Sequence, residues 1–258
     1  MSATGAPPQA GGRAVRVAAL ADLHCAKASQ GQLHGLLTQA AGLADVLLLG
    51  GDLTDYGLPE EAHVLAHELA GVKASLVAVL GNHDYESGKQ GEVRQVLREA
   101  GVKMLDGDAV EVLGIGIAGA KGFAGGFGRG TLGPWGEEAV KVFVREAVDE
   151  ALKLESALAR LRTHRRVALL HYAPIAATVE GEPREIFAFL GCGRLAEPLT
   201  RYPVAAVFHG HAHRGSPEGT LGDSIPVYNV ALPLLRRLWP DKPPVRVVQV
   251  HVPEAPEE

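Results

Sequence analysis

An α/β layered domain is what the sequence predicts, on three observations. Short apolar runs that read as buried strands alternate with stretches of helical apolar spacing. Five of these runs end in blocks of glycine, carboxylate, amide or imidazole residues, the place where open α/β sheets build their sites. No repeat, heptad or linker divides the 258 residues, 47% of them hydrophobic, so one packed unit is expected.

The elements follow in order. Val15 to Ala21 reads as a strand running into Asp22, and Leu33 to Leu43 has helical spacing. Asp45 to Leu49 is a second buried strand, ending in Gly50-Gly51-Asp52. Pro59 opens a helix at its first turn, where its missing N–H costs nothing, and Gly71 closes it. Ser75 to Leu80 is the third strand and delivers Gly81-Asn82-His83-Asp84; a helix over 90–100 follows. Val110 to Ala118 reads as one strand. The glycine-rich stretch 119–136 suits no regular element, and two readings stay open for it: a mobile lid, or a plain surface loop. As a lid it would offer Lys121, Phe123, Phe127 and Arg129 as substrate contacts. A long helix is predicted over 137–162, then strands Arg166–Leu170, Val204–Phe208, Ile225–Val230 and Val245–Val250. The domain is placed at 14–252, between a flexible Ala/Gly/Pro-rich tail at 1–13 and an acidic tail at 253–258.

Composition excludes several functions. A formal charge of −5 without a basic stripe argues against nucleic acid as a partner. Arg160, Arg162, Arg165 and Arg166 sit where a helix ends, and the helix dipole accounts for them. No apolar run reaches the length of a membrane span. Two cysteines, Cys25 and Cys192, are too few for a disulfide framework, so a cytoplasmic protein with small buried thiols is expected. The apolar segment Leu232–Trp239 either covers the core, the preferred reading, or forms an edge for a homo-oligomer.

The chemistry lies in the five blocks: Asp22-x-His24, Gly51-Asp52, Gly81-Asn82-His83-Asp84, His171, and Gly210-His211-x-His213. Any one is weak, but in order, each at the end of an apolar strand, they form a cluster able to hold two cations side by side. Glycine allows the tight turns that bring a strand end near a cation, and a spacing of two points Asp22 and His24, or His211 and His213, the same way. Asp52, alone at its loop, is the natural bridge. Mixed oxygen and imidazole ligation suits borderline divalent ions. Mn2+ is the expected metal, with Fe2+, Zn2+, Co2+ or Ni2+ as alternatives. His209 reads as a buried structural histidine, and His34, His63, His67, His164 and His251 as irrelevant.

On these residues the chain resembles the calcineurin-like metallophosphoesterase superfamily over nearly its whole length. The resemblance implies a four-layer α/β/β/α sandwich of two mixed sheets, with a dimetal site at the loops following the strands' carboxyl ends. It implies that Asp22, His24, Asp52 and His213 hold one metal and Asp52, Asn82, His171 and His211 the other. It makes His83 a substrate-facing proton donor oriented by Asp84, and a metal-bridging hydroxide the in-line attacker on phosphorus. An imidazole suits that donor role. Purple acid phosphatases carry a tyrosine three residues after the bridging Asp; here that position is Asp55, so no tyrosinate colour is expected.

Gly51-Asp52-Leu53-Thr54-Asp55, followed by Gly57 and Pro59-Glu60, looks like the small phosphodiesterases of that superfamily. A phosphodiester of a small, nucleotide-like molecule is therefore the expected substrate. Tyr172, Phe187 and Phe189 could wall its organic part. A phosphomonoester is the alternative. A non-catalytic scaffold of the same fold is the lesser one, since such a scaffold would have lost part of the catalytic set.

Overall fold

Uninterrupted apolar runs become central strands because both of their faces are covered. The computed structural model describes residues 12–253, in which eleven strands and seven α-helices follow one another. The first half runs β1 (Gly12–Leu20), α1 (His34–Gly42), β2 (Val46–Gly50), α2 (Pro59–Glu68), β3 (Ser75–Val79), α3 (Gln90–Glu99) and β4 (Lys103–Met104). The second half runs β5 (Asp108–Val112), β6 (Ile115–Gly119), α4 (Glu138–Arg160), β7 (Arg165–Leu169), α5 (Phe187–Leu190), α6 (Ala196–Arg201) and β8 (Ala206–His209). It closes with β9 (Glu218–Leu221), β10 (Ile225–Asn229), α7 (Leu232–Leu238) and β11 (Arg246–Pro253).

One sheet has the order β11-β1-β2-β3-β4, parallel except where β11 returns antiparallel against β1. The other has the order β5-β6-β7-β8-β10-β9, with antiparallel pairs at both edges and parallel pairs between. Alternation along the second sheet divides its side chains between two layers. Ile115, Ile117, Val167, Leu169, Ala206 and Phe208 join the core shared with the first sheet. Ala118, Ala168 and Val207 face the other way, onto Leu154, Ala157 and Leu158 of α4. Leu37 of α1, Leu65 of α2 and Val93 and Leu97 of α3 belong to the core of the first sheet. This is the expected α/β/β/α sandwich of two mixed sheets.

Several boundaries differ from the sequence reading. Gly12 and Arg13 already belong to β1, paired with Pro253 and Val252, so the first tail ends earlier than residue 13 and the last begins later than 253. The rest of both tails lies outside the described residues. The single strand expected over 110–118 is a hairpin, turning through Leu113 and Gly114 at φ 52° and 84°. A leucine at positive φ is not a sequence signal for such a turn, which usually shows Asn-Gly or Asp-Gly. The strands β4 and β9 and the short helices α5 and α6 were also absent from the pattern. Leu232, Leu234 and Leu235 of α7 are buried, as the core reading of that segment requires.

Neither reading of the glycine-rich stretch describes its first half. Residues 120–126 are buried apart from a half-buried Phe123, and Gly125 and Gly126 donate N–H bonds to Ala188 and Gly191 at 2.7 and 2.8 Å. Most residues from Gly128 to Gly136 are exposed.

Candidate metal centre

All five blocks meet where the strands of the two sheets end. The loops are tied to one another through the backbone: Asp22 N–H to Gly51 O and His24 N–H to Asp52 O, both at 3.0 Å, and Gly210 N–H to His171 O at 3.1 Å. Asp22 also accepts the His211 N–H at 3.0 and 3.1 Å, linking the β1 and β8 loops. Among the described residues, five non-glycine residues have positive φ, and four are Asp22, His24, Asp52 and His211. Such conformations cost free energy and persist where surrounding packing enforces them, commonly at functional sites. Gly51 shows why a glycine stands there: its φ is 85°, and a Cβ would lie 2.6 Å from the His171 ring nitrogen.

Two groups of donors form beside each other. Asp22, His24 and His213 each offer a ligand atom, all within 4.8 Å of one another, and Asp52, His171 and His211 do the same. Asp52 stands between them, with Oδ2 3.9 Å from His24 Nε2 and Oδ1 3.4 Å from His171 Nε2. A third group joins His24 to Asp55 and His83.

The donors fit cations on two further grounds. His24 Nε2 is buried without a hydrogen-bond partner. His171 donates from Nδ1 to Gly50 O at 2.9 Å, which leaves Nε2 as a lone pair 2.8 Å from the Asn82 amide oxygen. Two acceptors so close suit ligation of one cation by both. Burial keeps the imidazoles neutral: it pushes His24 down, His171 well down, and His211 to about 3. His213 goes the other way, because its bond to Asp22 at 3.0 Å stabilises the charged ring. Asp52, buried and crowded by Asp22 and Asp84, is pushed up to about 9, which nearby cations would reverse.

Asp84 corrects an expectation. Its carboxylate does not touch the His83 ring but accepts from Thr54 N and Oγ1 at 2.8 and 2.6 Å, Gly81 N at 2.7 Å and Leu53 N at 3.2 Å. Four donors take up both oxygens, so Asp84 clamps the β2 loop to the β3 loop. His83 is instead held by donating from Nδ1 to Asp55 O at 2.7 Å, and its ring stands edge-on to His24 with centroids 4.5 Å apart.

Asp55 is the residue that sequence reasoning missed as a participant. Its Oδ1 lies 3.3 Å from His24 Nδ1, the carboxylate–histidine pairing that fixes a ligand's tautomer. Its position three residues beyond Asp52, at the turn that follows the bridging carboxylate, is the signal the sequence carries for it.

The remaining candidates divide. Lys121 and Phe123 line a cavity with Asn82, whereas Arg129 is exposed on the outer part of the loop and does not line it. Tyr172 packs its ring 4.5 Å from that of His211. The Phe189 carbonyl faces His211 Nε2 at 3.1 Å, while its ring is exposed. His209 is structural: fully buried, it bonds Gly210 O and Thr178 Oγ1, both at 2.8 Å. Cys25 and Cys192 are buried free thiols, and burial pushes Cys25 up to about 12.

A sandwich of this topology, with paired clusters of carboxylate and imidazole at its loop ends, is the architecture of metal-dependent phosphoesterases. The model of the calcineurin-like phosphoesterase family matches residues 15–215, and the chain belongs to that family. The family is dimetal-dependent. Among solved structures, a phosphopantetheinyl hydrolase from Mycobacterium tuberculosis is similar at a TM-score of 0.65 and 16% identity, over 95% of this chain and 98% of that one. The protein TT1561 of Thermus thermophilus is similar at a TM-score of 0.53 and 15% identity, over 93% and 99%. At these identities the likeness is one of fold. No curated protein matches the chain. Among the described residues, no helix is long and apolar enough to cross a membrane.

Proposed function

We propose that this phosphoesterase hydrolyses a small phosphodiester with two divalent cations, Asp22, His24, Asp52 and His213 holding one and Asp52, Asn82, His171 and His211 the other. The observation that carries the reading is Asp52, whose two oxygens face two separate imidazole clusters. When bound, such cations supply Lewis acidity at phosphoryl oxygens and activate water. The donor set suits Mn2+, Fe2+, Zn2+, Co2+ or Ni2+, and Mn2+ is the ion to supply first.

The chain's own residues do the rest. Asp52 keeps the two clusters in register, and its Oδ1 also accepts the His83 N–H at 2.9 Å, setting the start of the turn that carries His83. With Nδ1 committed to Asp55 O, His83 is left with Nε2 as the atom that serves the departing alkoxide as general acid. Asp84 holds the two loops at the spacing this needs. The cavity beside Asn82 gives room for an organic substituent on phosphorus. The protein works on a small molecule, with neither nucleic acid nor membrane as partner.

Hydrolysis of bis(p-nitrophenyl) phosphate and p-nitrophenyl phosphate by chelated protein resupplied with Mn2+ tests this. The diester is expected to be cleaved faster, with activity lost in Asp52→Asn. Preference for the monoester would make it a phosphatase. Inertness toward both, with metal bound, would turn the search to narrower substrates and protein partners. A phosphopantetheinyl ester belongs in that search, given the name of the similar hydrolase.

A further inference from the structure

A cavity of about 190 Å3 opens beside Asn82 and is lined by Tyr85, Lys121, Phe123, Glu146 and Tyr172. Asn82 is itself a proposed ligand, its amide against His171, and the ring of Tyr172 lies against His211. A group joined to the reacting phosphorus through a short bridge reaches this space. Its volume suits one ring, well below the several hundred Å3 of sites for drug-sized ligands.

The polar feature of the cavity is Lys121, only 7% exposed. Its Nζ donates one proton to Gly122 O at 2.8 Å. It lies 4.8, 5.4 and 5.5 Å from the ring centroids of Phe123, Tyr172 and Tyr85. An ammonium carries three protons, so two are left without a hydrogen bond among the described residues, with ring faces around them. Ring faces hold a cation in place but replace the lost hydration incompletely. The position calls for one more oxygen acceptor.

Charge decides which kind. Around Lys121, Glu150 and Asp106 are paired with Lys153, and Asp106 also with Arg94, while Glu146 stands on the lining. Three carboxylates thus balance three cations. A second anion entering the cavity would break that balance, whereas a neutral carbonyl would not.

We infer that this cavity is the specificity pocket of the enzyme, taking a neutral planar ring whose carbonyl oxygen accepts from Lys121. The inference rests on the phosphoesterase reading above and adds the chemical class of the substrate's organic part. The rings of Tyr85, Phe123 and Tyr172 supply apolar walls for the planar body. Lys121 is the specificity-determining residue.

The test is a ratio of kcat/KM values: thymidine 5′-(p-nitrophenyl phosphate) over phenyl p-nitrophenyl phosphate, whose ring has no carbonyl. The wild type is expected to favour the thymidine ester. Lys121→Met is expected to lose about 10- to 100-fold of that ratio, the range of one hydrogen bond to a charged group. Glu146→Trp, at an exposed position of α4 on the cavity lining, is expected to plug the cavity and lose the preference too. An absent preference in the wild type, or an unchanged ratio in Lys121→Met, overturns the inference. Calorimetric binding of thymidine needs no turnover and separates the two possible failures. Lys121-dependent binding by a protein inert toward every ester keeps the pocket and sinks the hydrolase reading. Absence of binding overturns the pocket whatever the esters do.

Discussion

Replacing Asp84 by asparagine separates a loop clamp from a partner of His83. In the native protein Oδ1 accepts from Thr54 N and Oγ1, and Oδ2 accepts from Gly81 N and Leu53 N. An asparagine keeps one acceptor oxygen and brings two new protons. With its NH2 toward Gly81 and Leu53, two buried N–H groups are orphaned. With its NH2 toward Thr54, the hydroxyl turns to accept and only Thr54 N–H is orphaned, so this flip is favoured. One orphaned N–H costs about 1–3 kcal/mol, and exchanging a charged for a neutral acceptor at the other two about 1 kcal/mol more. Relief of a fully buried carboxylate beside Asp52 offsets part of that, because burial already pushes Asp84 up. The net expectation is a loss of about 2–3 kcal/mol in Asp84→Asn. In Asp84→Ala all four donors lose their partner, and the loss should be larger by at least about 2 kcal/mol. Urea unfolding of chelated protein measures both, as a shift in midpoint at unchanged slope. Asp84→Asn costing less than about 1 kcal/mol, or matching Asp84→Ala, would refute the clamp. A fall in turnover with stability intact would return Asp84 to the side of His83.

Other outcomes follow from the same geometry. His83→Ala should lower turnover by about 10²–10⁴-fold while metal content, read by elemental analysis, stays near that of the wild type; equal loss of both would make His83 a ligand. Asp55→Ala should weaken metal binding by about 10- to 100-fold in chelator competition, because the tautomer of His24 is no longer held. His209, pushed down to about 4 by burial, ties stability to pH. Its neutral form contributes fully above about pH 6.5, and that contribution is lost as pH falls from there toward 4, on the order of 3 kcal/mol in all. In chelator the unfolding midpoint should drop across that window, and His209→Asn should flatten the slope; an unaltered slope would remove His209 as its source.

What the sequence by itself determined is the part of this protein written in local pattern. Apolar runs that end in Asp22, Asp52, Asn82, His171 and His211 announce strands and the groups at their ends, because strand burial and the polar turn beyond it are neighbours in the chain. The family pattern then supplied the layering of the fold and the pairing of the ligands that we propose. Tertiary structure decided whatever depends on which loop lies against which. Leu113 in a hairpin turn and the short strand β4 rest on long-range pairing that outweighs weak local preference. Asp84 follows His83 in sequence, yet its carboxylate turns to the Thr54 loop, where unpaired N–H groups were left by two strand ends. Asp55 meets His24 only because the β1 and β2 loops are bonded along their backbones. Lys121 acquired its ring-lined pocket from α4, the β3 loop and the β7 loop together, three segments whose meeting no spacing along the chain encodes. Backbone pattern is local, whereas the satisfaction of buried polar groups is settled only when the layers close.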